Sequence, residues 1–115
     1  MTFSPDSKLI AAGTKDGTIR IIDVAKRKDV VSFDEVQEQI LSVAFHPTEN
    51  LLAATGKDKT IRFWDLKTKK LISTVKPPEL VFYQRLIFSA EGKQLGTFKS
   101  KGGESITIWS VHVGK

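Results

Sequence analysis

Apolar and β-branched residues come in runs of four to seven along this chain, and small polar clusters separate them. Leu9–Thr14, Thr18–Val24, Val30–Phe33, Ile40–Phe45, Leu51–Thr55, Thr60–Leu66, Leu71–Val75, Tyr83–Phe88, Leu95–Phe98 and Ser105–Val111 are rich in Val, Ile, Thr, Phe and Trp. These residues fit a pleated, half-buried surface, so each run predicts a short strand. A stub at residues 1–4 brings the predicted total to 11. Between the runs stand Pro5-Asp6-Ser7, Lys15-Asp16-Gly17, Pro47-Thr48-Glu49-Asn50, Lys57-Asp58-Lys59, Pro77-Pro78, Glu91-Gly92 and Gly102-Gly103-Glu104. Pro presets a turn dihedral, Gly admits positive φ, and Asp or Asn bonds backbone two residues on, so these are turns. Helical periodicity is confined to Asp34–Leu41, which is polar and reads as a connection with room for one short helical turn.

The strand pattern repeats. Residues 3–24 read FSPDSKLIAAGTKDGTIRIIDV, and residues 45–66 read FHPTENLLAATGKDKTIRFWDL. Every matched pair is 42 residues apart without a gap, including Phe3 with Phe45, Asp16 with Asp58, and Thr18-Ile19-Arg20 with Thr60-Ile61-Arg62. A worn third copy follows, with Phe88 43 residues after Phe45 and Trp109 45 after Trp64. A period in the forties with four short strands per unit predicts an all-β array of antiparallel blades, in which each unit needs neighbours to bury its apolar faces. Strand a is placed at 1–4, 40–46 and 83–89; strand b at 9–14, 51–56 and 95–99; strand c at 18–24, 60–66 and 105–111. Strand d is placed at 29–33 and 71–75 only. The whole chain, 1–115, is thus read as one propeller segment with blades at about 1–34, 39–76 and 82–113, incomplete at both ends.

These residues resemble the WD40-repeat propellers. Trp64-Asp65 is the dipeptide that gives the family its name, and Ile22-Asp23 and Trp109-Ser110 hold the same place in the other copies. The string FHPTENLLAATGKDKTIRFWDL, with the FSPD copy before it, resembles in particular the propeller of katanin regulatory subunits, of the microtubule-severing complex. The resemblance implies structural roles at Asp16, Asp58, Trp64, Thr97 and Trp109. It also implies a polar brace of Trp, Ser or Thr, Asp and His, which this chain carries only in part. Ala12 and Ala54 stand at the Ser/Thr place, and the Gly-His dipeptide before strand a is absent. The Trp64 indole N–H is therefore expected to find another acceptor.

Composition narrows the function. Hydrophobic content of 40% is enough for a packed core. With no cysteine, disulfides, thiolate zinc sites and cysteine nucleophiles drop out. His46 and His112 have no HExxH or similar partner set, and His46, beside Pro47, is expected to cap a turn. GxSxG, GxxxxGK[ST] and GxGxxG motifs are missing, and Gly102-Gly103 reads as a hairpin turn. The expectation is therefore a protein without catalytic activity, cofactor or metal. No apolar stretch is long enough for a membrane helix.

The net charge of +5 comes from 18 Lys and Arg against 13 Asp and Glu. Part of this excess is organised. Lys26-Arg27-Lys28 and Lys67-Thr68-Lys69-Lys70 fall at the same c–d turn of consecutive units. With Lys8 and Lys93 they form a candidate basic rim for an acidic partner, centred on Lys26, Arg27, Lys28, Lys67, Lys69 and Lys70. The opposite rim mixes Lys15, Lys57, Lys59, Lys99 and Lys101 with Asp34, Glu35, Glu38 and Glu79. Nucleic acid is disfavoured, because the basic residues are not interleaved with exposed aromatics.

The expected function is a non-catalytic protein-interaction scaffold. Its partners would be other proteins, with microtubule or severing-complex components implied by the katanin resemblance. Further blades or self-association would cover its end faces, and its setting would be intracellular, cytoplasmic or cytoskeletal. The alternatives are a WD-repeat scaffold of another complex, or an incomplete gene product without function of its own.

Overall fold

A computed structural model describes residues 2–34, 38–75, 85–99 and 105–110. They form three antiparallel sheets, each built from consecutive strands in meander order. The first sheet is β1 (Thr2–Phe3), β2 (Leu9–Gly13), β3 (Ile19–Asp23) and β4 (Lys28–Phe33). The second is β5 (Ile40–Phe45), β6 (Leu51–Gly56), β7 (Ile61–Asp65) and β8 (Lys70–Val75). The third holds β9 (Arg85–Phe88), β10 (Gln94–Lys99) and β11 (Ser105–Ser110). The sequence reading set the 11 strands in the same order, with ends differing by a residue or two. The outer strands of the first two sheets start earlier than the apolar pattern suggested, at Lys28 and Lys70, because they pair with Asp23 and Asp65. The expected Pro77-Pro78 and Gly102-Gly103 turns, and residues 83–84 of the third strand a, lie outside the described residues.

Register explains how the sheets stack. Paired residues share a face, and successive residues alternate between faces. Across the second sheet one row runs Phe45, Leu52, Trp64, Leu71, and the opposite row runs Ala44, Ala53, Phe63, Ser73. The first row, here termed the front, packs on the first sheet: Leu52, Ala54, Val43 and Trp64 share a core with Ala11, Ile19, Ile21 and Phe33. The opposite face, the back, packs on the third sheet: Ala44, Ala53 and Ile61 share a second core with Leu86 and Leu95. That is why all of Leu51–Gly56 is buried, with no alternation of polar residues. The contact is front on back both times. The closest backbone approaches between sheets are made by their first two strands, so β1, β5 and β9 lie toward the hub and β4 and β8 toward the outside, where side chains alone bridge the sheets.

Close backbone approach seals the first joint. Ile40 N–H donates to Thr14 O at 3.0 Å. A Cβ on Gly13 would lie 2.3 Å from Ile40 Cγ2, so glycine is the residue that lets the strands meet there. At the second joint Leu86 N–H donates to Ser42 Oγ at 3.1 Å.

Candidate functional site

The a–b and c–d turns share one rim. Val24 N–H donates to Lys8 O at 3.0 Å, and Leu66 N–H donates to Asn50 O at 2.9 Å, so each c–d turn is tied to the a–b turn of its own sheet. The two c–d turns have the same construction, 42 residues apart. Arg27 N–H donates to Asp23 O and Lys69 N–H to Asp65 O, both at 2.8 Å. Arg27 and Lys69 take positive φ, 55° and 63°. Asp23 Oδ1 accepts from Lys26 N–H at 3.0 Å, and Asp65 Oδ1 accepts from Lys67 N–H at 2.8 Å and Thr68 N–H at 3.2 Å. The aspartate of the repeat dipeptide thus shapes the turn from beneath, a role the sequence reading did not assign. Its recurrence at Asp23 and Asp65, just before each basic cluster, was the available signal.

Lys26, Arg27, Lys28, Lys67, Lys69 and Lys70 are all exposed, and among the described residues none of the six belongs to an ion pair. Their neighbours toward the hub are different. The a–b turns carry Asp6, Glu49 and Glu91 as well as Lys8 and Lys93. Asp6 is held ionised: the Ser4 hydroxyl and the Lys8 backbone N–H bond its carboxylate and lower its pKa below the ordinary carboxylate value. The rim is therefore zoned, with mixed charge around the hub and a basic arc at the outer edge. A cleft of about 200 Å³ opens on this rim between the first two a–b turns, lined by Asp6, His46, Glu49, Phe45 and Leu66 among others. Its size is below that of ordinary small-molecule sites, about 300–1,000 Å³.

His46 serves the turn and joins two sheets. Its Nδ1 accepts from Thr48 N–H at 3.2 Å and Glu49 N–H at 3.0 Å, which leaves the proton on Nε2. Nε2–H then donates to Gly92 O at 2.9 Å, across to the third sheet, and the ring meets Phe88 edge-on at 5.1 Å. At the equivalent place, among the described residues, Ser4 accepts from Leu9 N–H and donates to Asp6, and Ser89 accepts from Gln94 N–H, each within its own turn.

Asp16 and Asp58 close the b–c turns on the other rim. Asp16 accepts from Thr14 Oγ1 and from Thr18 N–H at 3.1 Å, and these bonds lower its pKa. Asp58 accepts from Thr60 N–H and Oγ1 and pairs with Arg62. Burial raises the Asp58 pKa, but the bonds from Arg62 and Thr60 together outweigh it, so the net shift is downward. Trp64 is fully buried and stacks on Phe33 of the first sheet, with centroids 5.3 Å apart. It is engaged beyond that stack as well. The backbones of Thr97 and Trp109 lie in β10 and β11, and their side chains lie outside the described set. Among the described residues there is no group of three or more His, Asp or Glu placed to hold a metal ion.

One comparison speaks to ancestry. The family model of the anaphase-promoting complex subunit 4 WD40 domain matches residues 1–111. No curated protein is similar enough to the chain to count as a match.

Proposed function

The chain belongs to the WD40-repeat family represented by the anaphase-promoting complex subunit 4 WD40 domain, and on that premise we propose that it is a non-catalytic protein-interaction scaffold whose contact surface is the outer basic arc. WD40 domains generally mediate protein–protein contacts. The observation that carries the choice of surface is the repetition of one turn: two neighbouring sheets present three basic side chains each, exposed and without ion-pair partners among the described residues. Backbone bonds to Asp23 and Asp65 fix the turns, so little order has to be gained on binding. The partner chemistry that fits is an acidic, extended protein segment. Such attraction is screened over about 8 Å at physiological salt and acts on encounter rate as much as on affinity.

A finer reading comes from the katanin resemblance of the two matched repeats. It assigns the acidic segment to tubulin tails and places the chain in the cytoplasm at microtubules. The matching family is named for a subunit of a different complex, and it supports a role in an assembly without choosing the partner. Binding of fluorescent Glu-rich peptides, with a tubulin-tail peptide among them, tests both levels. Gln at all six arc positions is expected to abolish the salt-dependent component. Gln at Lys15, Lys57 and Lys59 on the opposite rim is expected to leave it. Equal loss from both rims removes the surface assignment. Tubulin-tail binding no tighter than that of a composition-matched peptide removes the microtubule reading alone.

A further inference from the structure

The two joints between sheets follow one plan but differ at one place on the turn rim. At the second joint the His46 ring reaches across to Gly92 O and meets Phe88 edge-on. It fills the space that a Cβ on Gly92 would need. The repeat supplies the counterparts at the first joint: Ser4 for His46, Phe45 for Phe88 and Glu49 for Gly92. The a–b turns fit this alignment, since Ser4, His46 and Ser89 N–H each donate to the carbonyl five residues on, at 2.9, 2.8 and 2.9 Å. Ser4 is too short to cross as the imidazole does, and its hydroxyl bonds within its own turn, to Asp6 and Leu9 N–H. At this place, with serine where the other joint has a ring, lies the cleft of about 200 Å³, and Ser4, Phe45 and Glu49 all stand in its wall.

That wall has a definite chemistry. Leu9, Phe45, Pro47 and Leu66 make it apolar, and Asp6 and Glu49 add two carboxyl groups. Among the described residues neither Lys nor Arg lines it, in a chain of net charge +5. Its one histidine, His46, spends both ring nitrogens elsewhere, on Gly92 O and on the N–H groups of its own turn. Both bonds to Asp6 end on Oδ1, from Ser4 Oγ at 2.7 Å and Lys8 N–H at 3.0 Å, which leaves Oδ2 to accept from a ligand. Glu49 is half-buried, and its backbone is pinned: its N–H donates to His46 Nδ1 at 3.0 Å and its O accepts from Leu51 N–H at 2.8 Å.

We propose that this cleft is a socket for an arginine side chain of a partner protein. Its size, short of a whole-ligand site, suits one long side chain. The alkyl stem of arginine covers apolar wall while its charged head stays in reach of water and carboxylates. The guanidinium is planar, carries five N–H donors, and binds both carboxylates and aromatic faces. Against Phe45 it repeats what His46 does against Phe88, a flat N–H-bearing group set beside phenylalanine at the joint. Lysine has the charge without the plane, and an acidic side chain would meet Asp6 and Glu49 as like charges. The socket is separate from the outer basic arc, which suits an acidic segment, and neither contact depends on the other.

Amide NMR of the intact, isotope-labelled chain reads this with three acetylated and amidated tripeptides. One has arginine between two glycines, one has lysine there, and one has citrulline, the uncharged analogue of arginine. The arginine peptide is expected to shift the amides of Asp6, Phe45 and Glu49 saturably. It should bind about threefold tighter than the lysine peptide and about tenfold tighter than the citrulline peptide. Asp6→Asn combined with Glu49→Gln should weaken it about tenfold. Glu49→Gln alone, expected to weaken it about threefold, serves if the double variant loses its β-sheet circular dichroism, because Asp6 also holds its own turn. Glu-rich peptides that probe the outer arc should bind Glu49→Gln no more weakly than wild type, so the two surfaces fail separately. Equal binding of the arginine and citrulline peptides overturns the proposal. So do shifts centred away from the first joint, and so does arginine binding untouched by Glu49→Gln. Lysine bound as tightly as arginine overturns the assignment to a guanidinium.

Discussion

Phe33 on the outer strand of the first sheet and Trp64 on the third strand of the second lie stacked, ring centroids 5.3 Å apart and planes 26° from parallel. Both are buried, Phe33 at 2% and Trp64 at 0% exposure. The pair extends the inter-sheet core from the hub out to the periphery. Trp64→Ala is expected to destabilise the protein by about 3–5 kcal/mol, the usual cost of an aromatic-to-alanine cavity in a core. Phe33→Ala should cost a similar amount, and the double variant less than their sum, because the pair shares its contacts. Denaturant titration of the four proteins measures this. A Trp64→Ala midpoint close to wild type would mean the joint is not a core.

His46 and Gly92 form the second place where two sheets depend on each other. A Cβ on Gly92 would lie 2.1 Å from His46 Cε1, and Gly92 has φ of 74°, so alanine there is opposed twice. His46→Ala leaves Thr48 N–H, Glu49 N–H and Gly92 O to find other partners, a loss of about 1–3 kcal/mol for buried groups. Gly92→Ala in the wild-type background should be strongly destabilising. In the His46→Ala background the steric part should vanish and only the backbone strain remain. Thermal melts of the four-protein cycle decide it: additive costs would show that the imidazole does not fill the space over Gly92.

Asp58 gives the stability a direction with pH. Burial favours its neutral form, but Arg62 and Thr60 hold the carboxylate ionised, so its folded-state pKa is below the unfolded value. Stabilisation from such a group is complete above the unfolded pKa, near 3.8, and is lost as pH falls through the folded one. Asp58→Asn is expected to flatten the acid limb of a stability–pH curve below about pH 4, with little change in its shape near neutrality. An acid limb of unchanged slope in the variant would assign the sensitivity to other carboxylates.

The order of strands was legible in the sequence, because the 42-residue period is a one-dimensional pattern, whereas the all-apolar run Leu51–Ala54 could not show that Leu52 and Ala54 face one core and Ala53 the other. What escaped was set by three-dimensional neighbours. Sequence placed His46 in a turn. The partner that makes it a joint, Gly92, is 46 residues away. Gly13 looked like an ordinary strand end, and its role depends on Ile40 crossing it from the next sheet. The rim was read as a candidate basic surface from its c–d turns with Lys8 and Lys93. The acids at Asp6, Glu49 and Glu91 fall on the same rim but nearer the hub, because the a–b turns join the innermost strands. The ion pair of Arg20 with Asp29, which sits opposite Ile22, likewise needed β4 to be in place.

The c–d turns allow charge and shape at the basic arc to be separated in one substitution. Arg27 and Lys69 hold positive φ without being glycine. A left-handed conformation costs an L-residue roughly 1–2 kcal/mol, and glycine gives back about 0.5–1 of that through its freer unfolded chain. Arg27→Gly and Lys69→Gly should therefore each stabilise the protein by about 0.5–1 kcal/mol. If the arc contacts an acidic segment, the same substitutions remove a charge from the contact and weaken binding, most visibly at low salt. Lys69→Ala supplies the control: it deletes the charge but keeps the Cβ, so stability should stay within about 0.5 kcal/mol while binding falls as in Lys69→Gly. Melting curves and peptide titrations on the same preparations read both effects. Stability rising with binding unchanged would keep the turn geometry and remove the arc as a contact surface. Binding lost in Lys69→Gly but retained in Lys69→Ala would mean that the fixed shape of the turn, and not its charge, is what the partner recognises.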